Sequence, residues 1–446
     1  MKFSAKLSSF QLILLSFVGL IGAGTLGLLL PGATYQGISL TNALFTATSA
    51  VCVTGLIVVS TPQTFTLFGQ TVILLLIQAG GLGFLTLGIL ISLMMGKKVG
   101  LTEKKRLQEF WNLGGALSIA RFLKLVVFFV VTVELVGALG LALRFAAQMP
   151  WGEAAFYGLF HSVSAFNNAG FSLWDDNLMS YGTDFFVVLW ISGLVILGGL
   201  GFLVLFDLKE YVLGRRIRLS LHSKLALASS GGLLLFGFVG YLLVEHRHLF
   251  LDQQTSWGEQ LLLSWFASVT ARTAGFNTWD YAQLQPATLL LTMLLMWIGA
   301  SPGSTGGGIK NTTFAVILLH LWATLRGHRE TRIWRRTLAP ELVSKAMVIV
   351  TLSGVYIFVV TFLIEELETT NFIDSLFEVI SAFATVGLSI GAPGGVSFSG
   401  GFGEGSKLLL SLTMLLGRVG PVTLFMALLL DQKERISYPK ETVYIG

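Results

Sequence analysis

Apolar residues run along this chain in long unbroken stretches, and polar positions gather between them. A helix that crosses a membrane needs about 20 mainly apolar residues. Eight stretches reach that length, at about 10–30, 69–95, 122–147, 183–213, 223–245, 286–320, 341–366 and 405–430. Four more, 39–51, 151–165, 257–270 and 372–382, hold some 11 to 15 residues and are too short to cross. Runs of that length suit buried or re-entrant helices. The first stretch follows Lys2 and Lys6, as a signal peptide would. Its apolar run exceeds the roughly 7–15 residues of a signal core, so it reads as a first span.

Composition agrees with that pattern. Of 446 residues, 54% are hydrophobic and 12% charged, against about 25% charged in soluble domains. The net charge of +5 matters less than its placement. Lys97, Lys98, Lys104, Lys105 and Arg106 follow the second span, and Lys209, Arg215, Arg216, Arg218 and Lys224 separate the fourth from the fifth. Arg326, Arg329, Arg332, Arg335 and Arg336 follow the sixth; Lys433, Arg435 and Lys440 follow the eighth. With eight crossings, all these clusters and both termini fall on one side, which the positive-inside bias makes cytoplasmic. Asp175, Asp176, Asp184, Glu365, Glu366 and Glu368 fall on the other. Nucleic-acid binding by the basic clusters would need a soluble domain to present them, and the sequence offers none. The single cysteine, Cys52, rules out an intrachain disulfide.

The short stretches repeat one another. SAVCVTGL (Ser49–Leu56), SAFNNAGF (Ser164–Phe171), VTARTAGF (Val269–Phe276) and SAFATVGL (Ser381–Leu388) align on Gly55, Gly170, Gly275 and Gly387. A second landmark follows each: Gly80-Gly81-Leu82-Gly83-Phe84-Leu85 recurs as Gly198-Gly199-Leu200-Gly201-Phe202-Leu203. The fourth copy is Gly417-Arg418-Val419-Gly420-Pro421, and the third, Gly299-Ala300-Ser301-Pro302, runs into a glycine-rich insertion. Trp-Gly-Glu opens two of the short stretches, at Trp151 and Trp257. The expected fold is therefore an all-α membrane protein of four span–pore-helix–span repeats. Eight transmembrane helices and four re-entrant pore helices would surround one pseudo-fourfold axis. The repeats fall at 1–100, 101–216, 217–337 and 338–446, with an intramembrane loop at 299–310.

Irregular backbone survives at membrane depth only inside protein or beside water. Four such loops can converge on one axis and turn their carbonyls toward a shared cation, replacing its hydration water. Glycine allows the backbone conformations and close approach this needs. Each short helix would present the negative end of its dipole to the loop, with Glu153, Glu259 and Asp374 near the opposite ends. The expected ion-binding residues are Val53, Thr54 and Gly55; Asn168, Ala169 and Gly170; Thr273, Ala274 and Gly275; and Thr385, Val386 and Gly387.

With four such units and one glycine per loop, the whole chain resembles the Trk/Ktr/HKT superfamily of potassium transporters. Thr385-Val386-Gly387 is similar to the start of a potassium-channel filter. Length and sparse soluble extensions resemble the KtrB-type membrane subunits. The resemblance implies a homodimer with one pore per subunit, K⁺ uptake that is often Na⁺-stimulated, and a KtrA-type cytoplasmic nucleotide-binding ring as regulator. In that superfamily a glycine in every loop goes with K⁺ selectivity, and serine in the first loop with Na⁺ preference. All four positions here are glycine, so K⁺ is expected, a Na⁺-permeable relative being the alternative; no position is assigned to Na⁺.

The segment from Gly299 to Asn311 interrupts the sixth span. A phosphate-binding loop would need a preceding strand and a lysine directly after the last glycine. Ile309 intervenes before Lys310, so no nucleotide is expected on this chain. A glycine kink is the plain structural reading. The functional reading, which resembles the superfamily's gate, is a flexible loop beneath the filter. Its residues are Gly299, Pro302, Gly303, Gly306, Gly307, Gly308 and Lys310, acting with Arg418 as a barrier to cations. The plain structural reading of Arg418 is a tie to a carbonyl or a carboxylate, with Glu134 and Asp207 the clearest acids nearby. Arg272 reads as a brace for the third loop, with Glu378 as its expected partner, and His161 as a packing residue. Asn167 and Asn168 are placed behind the second loop. Asp175 and Asp176 either draw cations to the mouth or are plain loop charges.

No zinc-ligand spacing occurs among the six histidines, and no acid–histidine pair recurs in a span, so an enzyme is not expected. A secondary transporter would more often show inverted repeats, whereas these share one orientation. The cytoplasmic loops and the tail Asp431–Gly446 remain as surfaces for a regulator.

Overall fold

The structure, a computed structural model, describes residues 9–83, 119–250, 255–391 and 396–420. Phe84, Leu85, Pro421, the clusters at 97–106 and 433–440 and the tail from Asp431 lie outside the described residues. Helices follow a recurring order of long, short, then long or broken. The first set is α1 (Ser9–Leu29), α2 (Leu40–Val51) and α3 (Leu67–Leu82). The second is α4 (Ile119–Phe145), α5 (Trp151–Phe166), α6 (Phe185–Gly199) and α7 (Phe202–Val212). The third is α8 (Leu221–Glu245), α9 (Trp257–Thr270), α10 (Pro286–Trp297) and α11 (Asn311–Leu325). The fourth is α12 (Pro340–Glu368), α13 (Phe372–Ala384) and α14 (Glu404–Val419). A two-residue hairpin, β1 (Arg332–Ile333) with β2 (Arg336–Thr337), joins α11 to α12; nothing in the apolar pattern announces it.

The short helices begin where the apolar pattern places them, and α2 and α9 open on serine caps, Ser39 and Ser256. Ser256 and Glu259 form a reciprocal capping box on α9, which satisfies two orphan N–H groups at once. Glu153, Glu259 and Asp374 all lie in first turns, where the helix dipole favours an acid.

Burial is inverted relative to a water-soluble protein. The short helices form the interior: Phe160, Phe166, Phe266 and Phe377 are fully enclosed. The long helices turn Leu26, Phe128, Leu243 and Phe358 outward. Contiguous apolar surface of this kind calls for a partner phase such as lipid. Leu123–Phe145, Leu221–Glu245 and Pro340–Glu368 are each long and apolar enough to cross alone.

The stretch 183–213 is not the continuous helix its apolar run predicts. It breaks between α6 and α7 with a bend of 98°. Gly201 sits at the break with φ of +90°, a conformation open to glycine and costly to other residues. The stretch 286–320 is likewise interrupted, from Ile298 to Lys310.

Each set packs on the next in a closed cycle. Helix α3 rests on α5, α6 on α9, α10 on α13, and α14 returns to α2. That cycle carries the four loops behind the short helices to the centre.

Candidate functional site

Four loops with one backbone conformation meet here. Val53, Asn168, Thr273 and Thr385 have φ of 51°, 58°, 73° and 50°. The glycines two residues on, Gly55, Gly170, Gly275 and Gly387, have φ of 92°, 69°, 79° and 95°. Thr54, Ala169, Ala274 and Val386 between them keep negative φ. Left-handed backbone at a β-branched residue is a genuine outlier and costs of order 1–3 kcal/mol. Val53, Thr273 and Thr385 bear it at the same place in three loops.

The glycines interlock. A side-chain carbon added at Gly55 would lie closer than 3.0 Å to the main-chain oxygen of Ala169. Gly170 stands in that relation to Ala274, Gly275 to Val386, and Gly387 to Thr54. The four contacts close a ring in chain order. Among the described residues no donor bonds the oxygens of Thr54, Ala169, Ala274 or Val386. The hydroxyls of Thr54 and Thr385 are buried without a partner.

Serine fixes three of the loops from behind, a role the motif alignment contains but does not reveal. Thr54 N donates to Ser49 O (2.8 Å) and Gly55 N to Ser49 Oγ (3.1 Å). Val386 N and Gly387 N use Ser381 O (2.9 Å) and Oγ (3.0 Å) in the same way. In the second loop Ala169 N donates to Ser164 O (2.8 Å), while Ser164 Oγ donates to Phe171 O (2.8 Å). The third has valine at the aligned position; Thr270 takes over, its Oγ1 donating to Phe276 O (2.5 Å). The signal is the serine that opens three of the four motifs.

Further back, His161 and Glu378 occupy the same aligned position and do the same work. His161 Nε2 accepts from Leu173 N (3.3 Å). Glu378 accepts from Ser389 Oγ (2.7 Å) and Ser399 N (3.0 Å). Each fastens the chain leaving its glycine.

The segment 299–310 lies against the inner side of the ring. Side chains added at Gly306 and Gly307 would strike Thr273 and Thr385, and one at Gly308 would crowd Ala384. Its mouth is closed by a bond from Gly299 N to Ile309 O (2.8 Å). It docks on the α6–α7 break: Ser301 N donates to Gly199 O (3.0 Å), Thr305 N to Gly198 O (3.2 Å), and Phe202 N to Gly303 O (2.9 Å). Pro302 O abuts Gly201, where a side chain would not fit. The bend and the loop therefore explain each other.

Three cations hold this segment. Arg418 donates to Thr305 O and, in the first set of helices, to Gly80 O and Gly81 O (3.3 Å). Lys310 Nζ folds back to Gly306 O (2.7 Å). Arg272 donates to Ser230 O and Gly299 O, both at 3.2 Å. Glu378 is thus not the partner of Arg272. The guanidinium turns to α8 and Gly299, while Glu378 faces Ser389 and Ser399. Nor do the two candidate acids pair with Arg418: Glu134 accepts from Asn167 (2.9 Å) and Asp207 pairs with Arg216. Asn167 also reaches Gln78 (3.2 Å), and the Asn168 amide lies 3.1 Å from Thr273 Oγ1, linking two neighbouring loops. Thr305, fully buried and bonded through N, O and Oγ1, escaped the sequence reading.

Outside the ring lies a cavity of about 390 Å³, lined by Gly55, Gly170 and Gly387 together with Asp175, Asp176 and Asp280. The carboxylates also tie the rim, Asp175 to Ser60 (2.5 Å) and Gln63 (2.9 Å).

Such a chain, mostly helical, apolar on its outer faces and closed around a ring of main-chain oxygens, is a membrane protein of the transport class. Comparison with known proteins gives the family. The TrkH model, described as a cation transport protein, matches residues 7–438. The chain is 41% identical over 440 residues to Ktr system potassium uptake protein B of Bacillus subtilis, covering 98% of this chain and 96% of that one. It is 37% identical to the potassium/sodium uptake protein NtpJ of Enterococcus hirae, covering 99% and 98%. The crystal structure of the potassium transporter TrkH from Vibrio parahaemolyticus shares the fold, with a TM-score of 0.76 over 96% of this chain and 87% of that chain at 20% identity. The chain belongs to the TrkH/Ktr family of cation transport proteins.

Proposed function

We propose that this chain is the potassium-translocating membrane subunit of a Ktr-type uptake system. Four repeats, at 1–100, 101–216, 217–337 and 338–446, together make eight spans and four re-entrant helices around one pore. The observation that carries the reading is the closed ring from Gly55 through Gly170 and Gly275 to Gly387. Oxygens without protein donors are the groups that replace an ion's hydration water. The twelve residues from Val53–Gly55, Asn168–Gly170, Thr273–Gly275 and Thr385–Gly387 form the filter. The C-terminal ends of α2, α5, α9 and α13 add partial negative charge below it, and the outer carboxylates raise local cation concentration.

The loop 299–310 is the gate. Clasped by Arg418 and Lys310, it places protein and positive charge beneath the filter, and conduction requires it to leave. Its ties to α7 and to Arg418 give a regulator two handles on it. That regulator is a KtrA-type nucleotide-binding ring on the cytoplasmic side, where both termini lie. The assembly is a homodimer with one pore per subunit, and uptake is stimulated by Na⁺. Glycine at all four positions and the potassium-uptake relatives favour K⁺; a relative named for both potassium and sodium uptake keeps a Na⁺-permeable pore as the second reading.

The test is potassium uptake by deficient cells expressing this chain with and without its regulatory partner, with Na⁺ as competitor. Growth rescue at low K⁺ that excess Na⁺ does not abolish supports the reading. No rescue in either setting, with the protein present in the membrane, removes it.

A further inference from the structure

The turn between α11 and α12 carries five arginines, Arg326, Arg329, Arg332, Arg335 and Arg336, one acid, Glu330, and no lysine. Glu330 is taken up by Arg332, at 3.1 and 2.8 Å, and by Thr337. Among the described residues no carboxylate pairs with Arg326, Arg329, Arg335 or Arg336. All four are exposed.

The hairpin is fixed against the end of α11. His320 Nδ1 lies 2.8 Å from the buried Thr331 Oγ1, and Leu338 N donates to Thr331 O (2.9 Å). Leu318, Leu321, Trp322 and Leu325 of α11 are exposed apolar residues up to the position before Arg326. On the other flank Leu342, Met347 and Val348 of α12 are exposed as well. If those helices span lipid, as the proposed function requires, the hairpin sits where hydrocarbon gives way to headgroups. Arg326 stacks on Trp322, 4.4 Å from the ring centre. At the tip Trp334 and Arg335 both adopt left-handed φ, 46° and 62°. Glycine or asparagine suits such a turn. The strained pair instead presents an aromatic ring and a guanidinium together.

We infer that the hairpin from Arg326 to Thr337 binds the phosphate headgroups of anionic phospholipids, with Trp334 seated among them. Arginine's planar fork matches phosphate in two-point contacts. Tryptophan favours the interfacial layer, and clustered arginines beside a span attract anionic lipid. An acidic protein partner would use the same charges, but it would not account for the exposed indole at headgroup depth.

The full chain in detergent would be titrated with phosphatidylglycerol, phosphatidylcholine or free glycerol phosphate, with retained lipid read by native mass spectrometry. The parent should prefer phosphatidylglycerol, and Arg329→Gln/Arg335→Gln/Arg336→Gln should cut that preference about 100-fold, roughly fivefold per arginine. Trp334→Ala, a milder change, should weaken retention of phosphatidylglycerol without changing the melting temperature. Arg215→Gln/Arg218→Gln, in another basic loop, should leave the preference intact. The inference is overturned if the triple variant keeps its preference. It is equally overturned if glycerol phosphate displaces the lipid at matched concentration, or if the triple variant loses only its regulatory partner. None of these readouts needs transport, so a parent chain without K⁺ flux would sink the proposed function and leave the lipid result standing.

Discussion

Arg418 and Thr305 stand 113 residues apart in the chain and are joined by a hydrogen bond from guanidinium to main-chain oxygen. The same guanidinium reaches Gly80 and Gly81 at the end of α3. One side chain of the fourth set of helices therefore bridges the glycine-rich segment of the third set to the first.

That bridge sets the first expectation. Hydrogen bonds to a charged donor contribute about 1.5–3 kcal/mol each, so Arg418→Gly should raise the open fraction of the segment about tenfold or more. Flux of K⁺ into proteoliposomes without a regulator measures it. Parent-like flux with parent-like regulation would remove Arg418 from the barrier.

Gly55→Ser should erode discrimination between K⁺ and Na⁺. The new carbon would press on Ala169 O at a position whose φ is already +92°. Displacing one carbonyl of the ring should reduce selectivity about tenfold, equivalent to about 1.4 kcal/mol. Paired flux measurements in vesicles decide it, and unchanged selectivity counts against the filter assignment.

Arg272→Met should destabilise the fold by about 1–3 kcal/mol, because the Gly299 oxygen loses its donor and the helical Ser230 oxygen loses its second one. Since Arg272 and Glu378 share no partner, Arg272→Met and Glu378→Gln should add within about 0.5 kcal/mol. Thermal melts of the two single variants and the double variant check this, and a larger coupling would contradict the observed bonding.

Ser381→Ala removes the acceptor for Gly387 N. A loss of about 1 kcal/mol is expected, together with weaker protection of the protein by K⁺ against heating. Melting curves with and without K⁺ separate the two effects. A variant that melts lower but keeps the full K⁺ response would limit Ser381 to a structural role.

Much of the fold was legible in the sequence because its signals are local. Apolar run length gave α1, α4, α8 and α12, and the shorter runs gave α2, α5, α9 and α13 nearly to the residue. The 98° break at Gly201 was missed, since apolar residues continue on both sides of it and the bend depends on Pro302, about a hundred residues further along the chain. Of the loop cluster, the four glycines with positive φ were readable from the recurring motif. Thr305 was not, being one polar residue in a glycine-rich stretch.

By itself the sequence determined where the apolar helices run and which backbone positions would need left-handed glycine, since both follow from local composition and spacing. Tertiary structure alone decided which donor meets which carbonyl. It sent Arg272 to Gly299 rather than to Glu378, and left Glu134 to Asn167 rather than to Arg418. A buried polar group takes the partner that packing brings within 3 Å or so, and for these residues that partner lies tens to hundreds of positions away along the chain.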